Sequence, residues 1–243
     1  MTALLEIKGV SKRFGGFTAL EGIDLTVNQG ERVGLIGPNG SGKSTLVNCI
    51  SGTLRNDTGS VHFGGELLDG LAAHERTHRG LSRSFQLPRP FASLTLVENV
   101  RVPLLYTVHR AGGPLHAGTV NARCEELLNL VGLVSKAKQR PRDLTQVEMR
   151  KLELARAMAA EPKLLIADEA MAGLSHSEIE EILALLKRMN ESGVTVIMIE
   201  HIMSAVMSFS QRLVVLVTGR KIADGNPQDV VRDPEVERAY LGQ

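Results

Sequence analysis

An α/β fold is predicted, with a mostly parallel sheet at its core, an antiparallel β subdomain at the N-terminus and an inserted α-helical subdomain. Three stretches predict it. The apolar run Val33–Ile36 leads through a glycine-rich loop into the helical spacing Leu46, Val47, Ile50. A second run, Leu164–Ala167, ends in the adjacent acids Asp168 and Glu169. A third, Val194–Ile199, ends in Glu200 and His201. Continuous apolar runs of this length suit strands buried on both faces, and the C-terminal edge of such a sheet is where ligands bind.

Residues 4–10 and 23–27 alternate apolar and polar, the pattern of half-exposed antiparallel strands, and Asn28-Gln29-Gly30 turns the chain toward the first buried strand. Phe14 lies upstream in the turn Lys12-Arg-Phe-Gly-Gly16; it suits either a packed loop aromatic or a ring that stacks on a flat ligand such as adenine.

The loop Gly37-Pro38-Asn39-Gly40-Ser41-Gly42-Lys43-Ser44-Thr45 meets G-x-x-x-x-G-K-[ST] through Gly37, Gly42, Lys43 and Ser44. Small residues let the backbone form a nest of N–H groups for phosphate oxygens, and the positive end of the following helix adds to that anion site. Lys43 can reach the terminal phosphates and the Ser44 hydroxyl can hold Mg²⁺. The chain is therefore expected to bind a nucleoside triphosphate.

A helix to about Leu54, a turn over Asn56–Gly59 and a hairpin around 61–65 follow. His74-Glu-Arg-Thr-His78 formally matches H-E-x-x-H, but no third metal ligand accompanies this short polar stretch, so it reads as coincidence. Residues 81–86 read as a strand ending at Gln86; Pro88, Pro90 and Pro103 then break regular structure, and residues 106–118 read as a loop. Helices are expected over 120–131 and 145–159, the second opened by the capping box Thr145-x-x-Glu148. Asp168 is expected to join Ser44 around Mg²⁺, with Glu169 nearer the γ-phosphate and the two acids diverging by the pleat of the strand. Ser175-x-x-Glu178 caps another helix, carrying Ile179, Ile182, Leu183, Leu186 and Met189 on one face. His201, at the edge expected to carry Asp168 and Glu169, is assigned a phosphate contact in preference to a plain polar rim. Residues 213–223 make a closing hairpin, and Asp233-Pro234 starts a short C-terminal helix.

Twenty-eight basic against 27 acidic residues leave a net charge of +1, which gives no overall field for nucleic acid or anionic lipid. Two cysteines, Cys49 and Cys124, fit a reducing compartment better than a disulfide scaffold. The N-terminus shows no basic-then-apolar signal, and no apolar run approaches the roughly 20 residues that span a bilayer. A soluble, intracellular protein is expected, reaching membranes only through a partner.

With these residues placed, the chain resembles the nucleotide-binding subunit of ABC transporters along essentially its whole length. Gln86 falls at the Q-loop glutamine, Asp168-Glu169 on the acidic strand, His201 at the switch histidine, Ala172-Gly-Leu-Ser175 at the D-loop and Phe14 at the adenine-stacking aromatic. Phe14-Gly-Gly, Ser84-Phe-Gln, Leu94–Val100, Ile199-Glu-His and Ala239-Tyr-Leu-Gly242 are similar to the branched-chain amino acid, or LivG, type. The resemblance implies a P-loop NTPase core of RecA-like form, divided into 1–86 (β subdomain and phosphate loop), 87–160 (helical subdomain) and 161–243 (acidic strand, switch histidine and C-terminal hairpin). It further implies ATP and Mg²⁺ as cofactors, with Ser44, Gln86 and Asp168 around the metal and Glu169, His201 and Gln86 serving hydrolysis. The partners implied are permease membrane subunits plus a second ATP-binding subunit, LivF-like or a second copy. The location implied is cytoplasmic, peripheral on the inner face of the membrane. An ABC-type ATPase acting on nucleic acid or ribosomes is disfavoured by the neutral charge, and a low-turnover regulatory module by the intact Glu169.

One departure stands out. The family's signature, usually Leu-Ser-Gly-Gly-Gln, here reads Leu144-Thr-Gln-Val-Glu148. Side chains replace both glycines, where backbone would approach phosphate closely. Glu148 also adds a like charge, costing about 3 kcal/mol at an assumed ~6 Å and effective dielectric of ~20 before relaxation and screening. Because the family sandwiches ATP between one subunit's phosphate loop and another's signature, asymmetric ATP sites are expected. Ala170 and Ser175 also replace the family's usual Pro and Asp or Asn.

Overall fold

The computed structural model describes residues 2–84, 88–108 and 117–241. Contacts divide the chain into two compact units, one of residues 1–76 with 190–243 and the other of residues 77–189.

The first unit opens with β1 (Ala3–Phe14) and β2 (Phe17–Asn28), an antiparallel pair longer than the alternation alone predicts. Bulges interrupt the alternation while pairing continues to Phe14↔Phe17, and Asp24 Oδ1 and Ser11 Oγ accept the N–H groups of Gly9 and Gly22 at 2.8 and 2.9 Å. Then come β3 (Arg32–Ile36), α1 (Lys43–Ser51), β4 (Thr58–Phe63), β5 (Glu66–Leu67) and α2 (Ala73–Thr77). Strands β2-β1-β4-β5 form one antiparallel sheet, burying Leu5, Ile7, Val10, Leu20, Ile23, Leu25 and Val61.

The second unit carries β6 (Leu81–Ser84), α3 (Leu96–Val108), α4 (Ala117–Leu130), α5 (Gln146–Met158), β7 (Leu164–Asp168) and most of α6 (His176–Glu191). Strands β6 and β7 are parallel, with Ser84 opposite Ala167. Helices α3, α4 and α5 bury Leu96, Val100, Leu104, Cys124, Leu127, Leu128, Leu152 and Leu154. Pro103 lies inside α3 rather than ending it. A proline costs one helical bond, and the buried face on either side keeps the helix continuous. Thr107 Oγ1 donates to the Pro103 carbonyl at 2.9 Å. The expected loop also shortens, since residues 106–108 close α3 and 117–118 open α4; residues 109–116 lie outside the described ones. Asn99, fully buried, accepts from Phe91 N–H at 2.8 Å and donates to Phe91 and Thr95 carbonyls at 3.1 and 2.9 Å, fixing the turn before α3.

Back in the first unit, β8 (Thr195–Ile199), α7 (Met203–Phe209), β9 (Arg212–Val217), β10 (Arg220–Gly225), α8 (Pro227–Val230) and α9 (Pro234–Leu241) complete the chain. Strand β3 pairs parallel with both β8 and β9, and β10 pairs antiparallel with β9. Val33, Leu35, Val196, Ile197, Leu213 and Val214 are buried, as runs without alternation require.

Candidate functional site

The phosphate loop grows from the end of β3. Gly37 has φ +152°, and a Cβ there would lie 2.1 Å from the Leu216 carbonyl of β9, so only glycine fits. Gly42 caps α1 in the left-handed region with no side chain closing the helix end, which leaves the first N–H groups of α1 without an intrahelical acceptor. Ser41 is buried, and its carbonyl accepts the Gly219 N–H at 3.0 Å, tying the loop to the β9–β10 turn. Asn39 and Gly40 form the exposed crest; Pro38 is half-buried, Ser44 is exposed and Thr45 half-buried in the first helical turn. Lys43 folds over its own loop, Nζ donating to the Gly37 and Pro38 carbonyls at 2.6 and 3.0 Å. A concave ring of N–H groups with an ammonium inside it is an anion site.

Leu35 of β3 is in register with Ile199 of β8, so Gly37 and His201 follow at the same edge of the sheet. The His201 side chain is 67% exposed, beside the buried Glu200 at 3.9 Å. Phe14 is 50% exposed, not packed, and Phe17 across the hairpin is 59% exposed. The Lys12 ammonium lies 5.7 Å from the Phe14 ring centre. Near the end of the chain, the Tyr240 phenol of α9 is raised in pKa, first by burial, with the Gly37 backbone acting the other way. Phe17 is not singled out by the sequence, although the Phe-Gly-Gly-Phe spacing signals it; Tyr240 enters there only within the tail Ala239-Tyr-Leu-Gly242, with no role attached.

In the second unit, β7 delivers Asp168 to its end, 6% exposed. Arg83 of β6 donates to Asp168 Oδ2 at 2.6 Å, a contact across 85 residues that no local pattern announces. Glu169 has φ +48°, and its carbonyl accepts the Ala172 N–H at 3.3 Å. The two acids therefore diverge through a left-handed turn, not through the pleat, because the strand ends at Asp168. Gln86 lies outside the described residues.

The hydroxyl of Ser44 and the carboxylate of Asp168 are hard oxygen donors, a chemistry that fits Mg²⁺, which takes few protein ligands and completes its shell with phosphate and water. His74 lies in α2, and His78, beyond it, stacks on Tyr106 with ring centres 4.6 Å apart. Among the described residues no group of three His, Cys, Asp or Glu is placed to hold a metal.

Helix α5 starts as the capping box requires: Thr145 Oγ1 accepts from Glu148 N–H at 3.4 Å, and Glu148 Oε2 accepts from Thr145 N–H at 3.0 Å. The Lys136 ammonium donates to Glu148 Oε1 at 2.5 Å, and this bond, then the one from Thr145 N–H, holds the carboxyl below the usual range. Glu148 is thus a paired charge, which offsets much of the repulsion its sequence position suggests. Gln146 is exposed and Val147 buried.

No helix among the described residues is long and apolar enough to cross a membrane. The ABC transporter family profile matches residues 20–172, and that of the branched-chain amino acid ATP-binding cassette transporters matches 220–243. The chain is similar to the high-affinity branched-chain amino acid transport ATP-binding protein BraF of Pseudomonas aeruginosa, 37% identical over 99% of this chain and 98% of that protein. It is 34% identical to the LivG protein of the same description in Escherichia coli, with the same coverage. Among solved structures it is similar to the ADP conformation of MJ1267, an ATP-binding cassette of an ABC transporter, at TM-score 0.89 and 30% identity over all of both chains. It is also similar to a dimeric post-hydrolysis state of the cassette MJ0796 bound to ADP and Pi, at TM-score 0.82 and 28% identity over 92% of this chain and 99% of that one.

Proposed function

The chain belongs to the ABC transporter family as an ATP-hydrolysing nucleotide-binding subunit, and from that premise we propose that it drives import of branched-chain or related amino acids. The observation that carries this reading is the match to BraF along nearly the full length of both proteins.

Phe14 stacks the adenine, residues 37–45 cradle the phosphates, and Lys43 neutralises their terminal charge. Ser44, Asp168 and Gln86 would hold Mg²⁺, which would supply positive charge to offset that of the phosphates. Glu169 orients or deprotonates the attacking water, and His201 steadies the γ-phosphate as charge develops on it. Arg83 fixes one oxygen of Asp168 and leaves the other for its task. Positioning carries most of the acceleration in such transfers. Residues 87–160 form the helical subdomain, between 1–86 and 161–243. Permease membrane subunits are the partners, with a second ATP-binding subunit, LivF-like or a second copy; the complex places this chain on the cytoplasmic face.

The altered signature favours asymmetric sites: this chain's phosphate loop with Glu169 forms a competent site, while Gln146 and Val147 leave the partner's nucleotide at a slow one. Two experiments test the reading. Affinity capture from membranes should recover a permease and a second ATP-binding chain, whereas recovery of RNA or ribosomes would refute it. In that complex, with Glu169→Gln silencing this chain's own site, restoring Ser-Gly-Gly-Gln at 145–148 should raise the residual turnover; an unchanged rate would dismiss the asymmetry.

A further inference from the structure

Gln146 stands where the family signature usually has its first glycine, and its side chain is not idle. Nε2 donates to the Ala172 carbonyl at 3.2 Å. Arg150, one turn along the same face of α5, approaches that carbonyl at 3.5 Å. Ala172 closes the turn that begins at Glu169, through its N–H bond to the Glu169 carbonyl at 3.3 Å. Glu169 sits at φ +48°, a conformation that a residue with a Cβ keeps only when its surroundings hold it. Gly173, at φ +79°, leaves the space for the amide, since a Cβ there would lie 2.6 Å from Gln146 Nε2.

We propose that Gln146 is a positioning residue for Glu169, a strut from the first turn of α5 that holds the Glu169–Ala172 turn and so aims the carboxylate. The proposal deepens the ATPase reading and rests on it. A glycine at position 146 has no side chain to make this bond. The substitution therefore gives up close backbone approach to a partner's nucleotide and gains support for this chain's own hydrolytic carboxylate. Through this bond, changes at Gln146 also act within the chain that carries them.

The test uses the complex with its second ATP-binding subunit, this chain carrying Gln146→Glu, which keeps the length of the side chain but cannot donate, or Gln146→Ala. Turnover, ATP affinity from a fluorescent analogue, and hydrogen exchange across residues 169–175 without nucleotide are measured together. Both variants should lose roughly fivefold to tenfold in kcat with ATP affinity within about twofold of the parent. Exchange of the 169–175 amides should rise by a similar factor, because the turn opens more often. Gln146→Glu with parental kcat would overturn the proposal. So would a fall in kcat without faster exchange, which places the effect elsewhere, and so would faster exchange with kcat unchanged. A parent chain unable to bind ATP defeats the ATPase reading itself, a failure visible before any variant is compared.

Discussion

The guanidinium of Arg76 donates to the carbonyl of Cys49 at 2.7 Å and to that of Ile50 at 2.9 Å, closing the C-terminal end of the helix whose N-terminus opens the phosphate loop. The side chain is buried, and burial lowers its pKa, while Asp69 supports its charge from nearby. A cation at the negative end of a helix answers both the orphan carbonyls and the dipole. Gly52 makes the approach possible, since a Cβ there would meet Arg76 Nε at 2.6 Å. Arg76→Met should lower stability by about 2–3 kcal/mol, because at least two buried carbonyls lose their donor. Arg76→Lys should recover only part of that, since an ammonium does not present the planar fork. Urea unfolding midpoints measure both; an unshifted midpoint in Arg76→Met would show the contact to be dispensable.

Lys43→Ala should weaken ATP binding by about 10–100-fold, the worth of one or two charge-assisted bonds to phosphate. The same change removes the ammonium from the Gly37 and Pro38 carbonyls, so the empty loop should become more mobile. Titration with a fluorescent nucleotide reads the first effect, and amide exchange over residues 37–45 reads the second.

Glu169→Gln should bind ATP within about twofold of the parent yet lose at least ~10²-fold in kcat, as expected for removing a general base from the attacking water. Single-turnover kinetics separate the two quantities. Near-normal turnover would take Glu169 out of its role.

The Lys136–Glu148 pair carries a pH signature. Its carboxyl is lowered in the folded chain, first by the Lys136 hydrogen bond and then by the Thr145 N–H. The unfolded state therefore takes up its proton at higher pH, and the stabilisation is complete above about pH 4.5 and fades as pH falls through the folded value. Lys136→Met should cost about 1 kcal/mol at pH 7, modest because the lysine is partly solvated, and the gap should be narrower at pH 3. Denaturant curves at the two pH values check it.

The phosphate loop was legible because its chemistry is local: glycines, lysine and serine must follow one another within nine residues to make the nest. The capping box at Thr145 was legible for the same reason, and at Ser175 the Glu178 half of a box forms, its Oε2 accepting the Ser175 N–H at 2.8 Å. Pro103 was over-read, since packing on the apolar face of α3 outweighs one lost helical bond. The left-handed turn at Glu169 was invisible, because the backbone angle there depends on what Ala172 contacts, and that includes a side chain 26 residues away. Arg83 on Asp168 and Arg76 on Cys49 were missed likewise: a lone arginine in a pattern announces a solvated face until folding brings an oxygen to it.

The influence of the Gly37 backbone on the Tyr240 phenol has a practical side. Helix α9 ends at Leu241, so a purification tag or fluorescent fusion attached behind it loads the helix whose Tyr240 phenol feels the first residue of the nucleotide cradle. Handles placed ahead of β1 load the antiparallel sheet instead. Preparations tagged at opposite ends should thus differ in apparent nucleotide affinity, and cleaving the trailing tag should remove the difference.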